Sequence, residues 1–232
     1  MKRIIILLVV AIFSFNACAK SNEKSNKNKV DNTKEIIENN NIINKNNEKK
    51  VLIVYFSLPE NDDSNTSNGS ESEDSSVTIN GKKMGNTEYL ANLIQEKTGG
   101  DIFRIETKKV YPINDHRKLI DTATQERRSN FRPELKQNVQ NLSQYDTVFI
   151  GYPIWWADMP MALYTFLENN DLSGKTVIVF NTHGGSGLVG TVDTIKRLQP
   201  KAKVNDNAIS IYRGEAEKSK SEVDEWLSGL GY

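Results

Sequence analysis

The sequence predicts an α/β fold, a doubly wound parallel sheet of five strands in a three-layer αβα arrangement. Two observations carry this. The run 51-VLIVYFS-57 is almost unbrokenly apolar, as a strand buried on both faces must be. After it, short apolar runs alternate with helical patterns to the end of the chain, and that alternation builds a parallel sheet covered on both sides. Its crossovers are right-handed by default.

The elements follow in order. After the first strand, 85-GNTEYLANLIQEKTGG-100 reads as a helix. Asn86 or Thr87 would cap its start, Leu90, Leu93 and Ile94 form its apolar face, and Gly99-Gly100 ends it. Further strands are expected over 102–106, 147–151, 176–181 and 208–212. Helices are expected near 115–128, 160–168, 189–198 and 216–230, the 160–168 helix capped by Asp158. One segment breaks the rhythm. The 27 residues 58–84 separate the first strand from its helix and carry six acids against two lysines, where a βα loop is normally about two to six residues. The end of this insert, 77–84, reads as a small hairpin around Asn80-Gly81.

The chain has 232 residues and zero formal net charge, but the charge is unevenly placed. Residues 19–50 hold ten Asn and eight Lys and net +3, while 51–232 net −5. The first segment has too little apolar surface to offset its ordering entropy and reads as a disordered tether. The second is long enough for a sizeable core. Nothing in it resembles the basic footprint of a nucleic-acid binder. At the N-terminus, Lys2-Arg3 precede a ten-residue apolar run, 4–13. That is too short to span a membrane and fits the core of a secretory signal. The only cysteine, Cys18, follows in 15-FNAC-18, which resembles a bacterial lipoprotein box. Residues 1–18 are thus expected to direct export, with a lipid on Cys18 anchoring the domain to the cell membrane through the tether. Ordinary cleavage around 17-ACA-19 would instead leave a secreted or periplasmic protein.

Ligands of a doubly wound sheet bind beyond the carboxyl ends of its strands, so the strand-to-helix junctions are where chemistry is expected. Three stand out. Ser57 and, across the insert, Gly85-Asn86-Thr87 place small polar side chains at a helix N-terminus, which suits a phosphate or a simple cap. After the 147–151 strand, 152-YPIWWAD-158 holds two of the chain's three tryptophans. Two successive loop residues do not both point into one core, so at least one indole is expected to face a cleft and cover a planar ring. After the 176–181 strand comes 182-THGGSGLVG-190, whose glycines let backbone approach a ligand. Its G-x-G-x-x-G spacing is discounted as a dinucleotide fingerprint, because it falls outside the first βα unit. His183-Gly184-Gly185 does not make an esterase loop, because no G-x-S-x-G elbow accompanies it. His116 has no assigned role. Two distant histidines and one cysteine do not build a metal site.

Together, YFS…GNT, GYPIWW and THGGSG resemble the flavodoxin family, over essentially all of 51–232. The likeness is greatest to bacterial flavodoxin-like proteins with YP-x-WW and THGGSG loops, some of them exported lipoproteins. The resemblance implies strand order 2-1-3-4-5 and non-covalent FMN at the carboxyl edge of the sheet. It implies that Ser57, Gly85, Asn86 and Thr87 hold the phosphate. Pro153, Ile154, Trp155, Trp156 and Ala157 would line the isoalloxazine, and Thr182, His183, Gly184, Gly185 and Ser186 would bind its polar edge. The sequence departs from simple flavodoxins in the insert that splits the phosphate loop and in the lack of glycine in 155-WWAD-158. The expected function is electron transfer between redox partner proteins or small donors and acceptors, with the acidic domain and the stacking aromatics disfavouring a negatively charged reduced ring. A flavin-dependent NAD(P)H or quinone reductase, with His183 as donor, is a second possibility. A non-catalytic binding module of the same fold is a third.

Overall fold

The first strand, β1 (Val51–Tyr55), is buried along its whole length. In the computed structural model, which describes residues 50–59 and 75–232, its side chains alternate between two cores. Leu52, Val54 and Phe56 enter one, and Val51, Ile53 and Tyr55 enter the other. A strand buried on both faces needs cover on both, with roughly 1.5–3 kcal/mol gained per buried large aliphatic side chain. The signal segment 1–18, all of the tether except Lys50, and residues 60–74 of the insert lie outside the described residues.

The end of the insert forms the expected hairpin, β2 (Ser76–Ile79) and β3 (Lys82–Gly85). Asn80 and Gly81 both take positive φ, 51° and 77°, as a two-residue turn matched to strand twist demands. Helix α1 (Asn86–Thr98) follows and ends on Gly99 in the left-handed conformation. Then come β4 (Asp101–Arg104), α2 (His116–Arg128), β5 (Thr147–Pro153), α3 (Met161–Asn169), β6 (Thr176–His183), α4 (Thr191–Leu198), the two-residue β7 (Lys203–Val204), β8 (Ile209–Tyr212) and α5 (Lys220–Gly229).

The main sheet runs β4-β1-β5-β6, with β7 and β8 both beside β6 at successive registers. All its pairings are parallel. Counting only the five expected strands, this is the order 2-1-3-4-5; β7 is an addition. Leu119, Phe166 and Ile195 place α2, α3 and α4 on one face, while Leu90, Ile94, Val223 and Leu227 place α1 and α5 on the other. No helix among the described residues is long and apolar enough to cross a membrane.

Three expectations need correction. β5 and β6 each run two residues further than their apolar runs, because Tyr152 pairs with Asn181 and Pro153 with Thr182. The Ile154 N–H then donates to the Thr182 carbonyl at 2.8 Å. The last helix begins later than 216. Arg213–Lys218 is a 3-10 helix, and both the N–H and the hydroxyl of Ser219 bond the Ala216 carbonyl, closing a tight turn before α5. Asp158 does not cap α3, whose N-cap is Pro160. Its Oδ1 instead accepts from the Met159 N–H and the Tyr164 hydroxyl.

Gly151 pairs with Phe180 across β5 and β6. A Cβ at Gly151 would fall 2.1 Å from that buried ring. Gly151→Ala is therefore expected to destabilise the fold by about 1–3 kcal/mol through overpacking. An unchanged urea midpoint would show that Phe180 can retreat.

Candidate functional site

The start of α1 is fixed by contacts that only these residues permit. Gly85 closes the hairpin and serves as N-cap without any side-chain cap. A Cβ there would lie 2.1 Å from Ser57 Oγ and 3.3 Å from the Leu58 carbonyl, so the missing side chain lets the end of β1 press against the start of the helix. Asn86 and Thr87 are therefore helical residues rather than caps. Both are buried, at 2% exposure, and their side chains reach across the sheet edge. Asn86 Nδ2 donates to the Arg213 carbonyl at 3.3 Å, and the Thr87 and Thr182 hydroxyls are 2.8 Å apart. The Asn86 N–H goes to the Ser75 carbonyl at 2.8 Å. The next two N–H groups, of Thr87 and Glu88, have no acceptor within the helix, as at any helix start.

These residues open onto a cleft of about 280 Å³ at the carboxyl edge of the sheet, near the lower end of the ~300–1,000 Å³ typical of small-molecule sites. It lies where β1 and β5 are neighbours although β4 is the next strand of the main sheet after β1, the switch point of the strand order. Ser57, Asn86 and Thr87 line one end. Pro153, Ile154, Trp155 and Trp156 line the side beyond β5, and Thr182, His183 and Gly184 the side beyond β6. The remaining expected residues do not line it. Gly85 acts by packing on Ser57, Ala157 sits in the turn behind Trp156, and Gly185 and Ser186 are exposed beyond the cleft.

The two tryptophans divide the work. Trp155 stands edge-on to Phe56 and Tyr111, with centroids 5.4 and 5.7 Å away, so its indole is wedged against the core. Trp156 is 50% exposed at the cleft. Trp155 and Asp158 exchange backbone hydrogen bonds of 2.9 and 3.0 Å, and the residues between them turn with φ of 53° at Trp156 and 58° at Ala157. Such a turn normally takes Asn-Gly. With two side chains there it stores strain of about 1–2 kcal/mol per residue.

His183 Nδ1 accepts the Gly185 N–H at 2.9 Å. The neutral ring therefore carries its proton on Nε2, free to donate. Burial lowers the imidazole pKa from its ordinary value of 6.5, which favours the neutral ring.

Sequence reasoning missed the opposite wall. His116, Leu119, Ile120 and Ala123 of α2 line the cleft, and their i, i+3, i+4, i+7 spacing was the available signal. It also missed Arg213, which lines the cleft from the end of β8. That junction has no glycine-rich or aromatic run to draw notice. Among the described residues no carboxylate lines the cleft, and no cluster suited to a metal occurs.

The family model described as Flavodoxin matches residues 80–230. A candidate flavoprotein from Bacteroides eggerthii is 25% identical, with a TM-score of 0.56, covering 79% of this chain and 99% of its own. A second, from Bacteroides uniformis, is 25% identical with a TM-score of 0.55, covering 78% and 98%. A flavoprotein from Lactobacillus acidophilus, solved in complex with FMN, is 19% identical with a TM-score of 0.49, covering 73% and 97%. No curated protein matches the chain.

Glycine at position 157 would remove the Cβ from a left-handed position. Ala157→Gly is expected to stabilise the protein by about 1 kcal/mol, read from the urea midpoint. A loss of stability would refute strain in this turn.

Proposed function

The chain belongs to the flavodoxin family, and from that membership we propose that it binds FMN non-covalently in this cleft and carries electrons between redox partners. The observation that carries the reading is Asn86. Asn86 lines the cleft, and its Oδ1 is buried with no hydrogen-bond partner among the described residues, a condition that costs about 1–3 kcal/mol until a donor arrives. The ribityl hydroxyls of FMN are such donors. Its phosphate suits the uncapped N–H groups of the first turn of α1, and its flat tricycle suits a slot between tryptophans and the apolar face of α2.

The residues would divide the binding as follows. Ser57 and Thr87 lie at the phosphate end, the Thr87 hydroxyl already positioned by Thr182. Trp155 is a fixed wall, and Trp156 is the cover, carried on its strained turn. His183, whose Nδ1 is taken by the Gly185 N–H, would offer its Nε2–H to the polar edge of the ring. When bound, FMN supplies the redox chemistry, while the protein supplies position, shielding and electrostatics.

A specific observation favours a second reading, a flavin-dependent NAD(P)H or quinone reductase. Both histidines of the chain line the cleft. A two-electron reduction of a quinone needs protons, which imidazoles can deliver.

Purified full-length chain, mixed with FMN and freed of excess, is expected to retain the flavin with shifted visible bands. Stepwise reduction through a distinct one-electron spectrum would favour the carrier. A single two-electron bleach, with direct reduction by NADPH, would favour the reductase. No retained flavin would refute both and leave a non-catalytic module.

We further propose that the domain is exported and anchored by lipid on Cys18, with 19–50 as a stalk. The support is the sequence 1–18 and the absence of any second cysteine to pair with Cys18. In bacteria, Cys18→Ser is expected to move the protein from the membrane fraction to the soluble fraction. Unchanged fractionation would refute lipid anchoring.

A further inference from the structure

Arg213 opens the 3-10 helix after β8. Its carbonyl holds the Asn86 amide, so its main chain is one hydrogen bond from the start of α1. Its side chain reaches Gly184, the residue just beyond the end of β6. A Cβ on Gly184 would lie 3.5 Å from the guanidinium Cζ, 3.6 Å from Nη1 and 3.7 Å from Nε. The guanidinium therefore packs over the bare backbone of the glycine turn and lines the cleft.

The charge balance there is one-sided. Arg104 pairs with Glu88 and Arg132 with Glu168. Among the described residues the Arg213 guanidinium has no hydrogen bond and no ion pair, and no carboxylate lines the cleft beside it. The uncapped start of α1 adds a second positive pole, worth about half an elementary charge. A half-buried cation and a helix N-terminus that line one cleft, with no carboxylate lining it among the described residues, are complementary to a negatively charged occupant. The planar guanidinium fork matches phosphate oxygens in a bidentate arrangement. A phosphate monoester carries its charge in every redox state of a flavin, whereas the oxidised ring is neutral.

Resting on the FMN reading, we infer that Arg213 is the specificity residue of this cleft. Its guanidinium pairs with the phosphate dianion and makes the site select phosphorylated flavin over riboflavin. Asn86 positions it, because the Asn86 amide anchors the Arg213 backbone.

The test compares FMN and riboflavin, which differ only in the phosphate, on full-length wild type, Arg213→Gln and Arg213→Lys, with affinities read from quenching of flavin fluorescence. Arg213→Gln is expected to weaken FMN about 10- to 100-fold and riboflavin less than about twofold, the loss expected for a charge-assisted pair. Arg213→Lys is expected to recover part of the FMN affinity. Equal losses for both flavins would overturn the inference and make Arg213 a residue of the ring or of the cleft's shape. No loss for either would overturn it as well. If wild type bound FMN and riboflavin alike, the inference alone would fall; if it bound neither, the FMN reading would fall with it. Should Arg213→Gln not fold, wild type still decides. The FMN-to-riboflavin affinity ratio is expected to drop as salt rises from about 0.01 to 1 M, because added ions screen the pair. A constant ratio would overturn the inference.

Discussion

The position of helix α1 is the constraint on which the rest of the site depends. Its start is set by a contact that exists only because residue 85 has no side chain: Ser57 Oγ occupies the space a Cβ would take. With that distance fixed, Asn86 and Thr87 come within reach of the Arg213 carbonyl and the Thr182 hydroxyl. The ends of β1, β6 and β8 are thereby tied to one helix terminus. Each tie is a modest bond of about 1 kcal/mol net. Their effect is geometric, because they hold donors in place before any ligand arrives and so reduce the ordering that binding would otherwise require. The 27-residue insert does not loosen this arrangement, since its last part returns as a hairpin and delivers Gly85 in register with Ser76.

How much of this could be read from sequence depends on how local the cause is. The apolar run 51–57, the alternation of strand and helix patterns, the Asn80-Gly81 turn and the Gly99 stop are all written in neighbouring residues, and each appears where expected. Ten of the fourteen residues expected at the cofactor line one cleft. The misses arose where a residue acts through something distant. Asn86 looks like a cap, but its partner is 127 positions away. Gly85 looks like part of a phosphate loop, but it is required by Ser57. His116 and Arg213 have no motif around them, and only the fold carries them to the cleft. The extra length of β5 and β6 was hidden because Pro153 and Thr182 read as loop residues, although their pairing continues the ladder.

The aromatic loop shows strain placed next to a site. Trp156 and Ala157 both take left-handed angles that favour glycine, held by the two backbone bonds between Trp155 and Asp158. Asp158 is in turn fixed by the Met159 N–H and the Tyr164 hydroxyl, with Arg127 3.9 Å away. An Asn-Gly pair would make the same turn at less cost but would leave no indole at the rim. Side chain and conformation conflict here, and the surrounding hydrogen bonds resolve the conflict in favour of presenting Trp156 to the cleft. Such conflicts persist where the surroundings over-determine the backbone.

Net charge is a poor guide to the field inside this cleft. The domain carries −5, of which −4 belongs to the insert 58–84. Other acids are neutralised where they stand, as Glu168 is by Arg132 and Glu88 by Arg104. At physiological salt, exposed charges fade over about 8 Å. A partner charge at about 4 Å from a half-buried guanidinium interacts with about 4 kcal/mol at an effective dielectric near 20. Proximity therefore outweighs totals. The charge preference of the cleft follows from Arg213 and the first turn of α1, both positive, rather than from the acidity of the domain around them. On the proposed reading, the anionic tail of the flavin would be held by charge and its neutral ring by shape, so the grip would not have to change with the oxidation state of the ring.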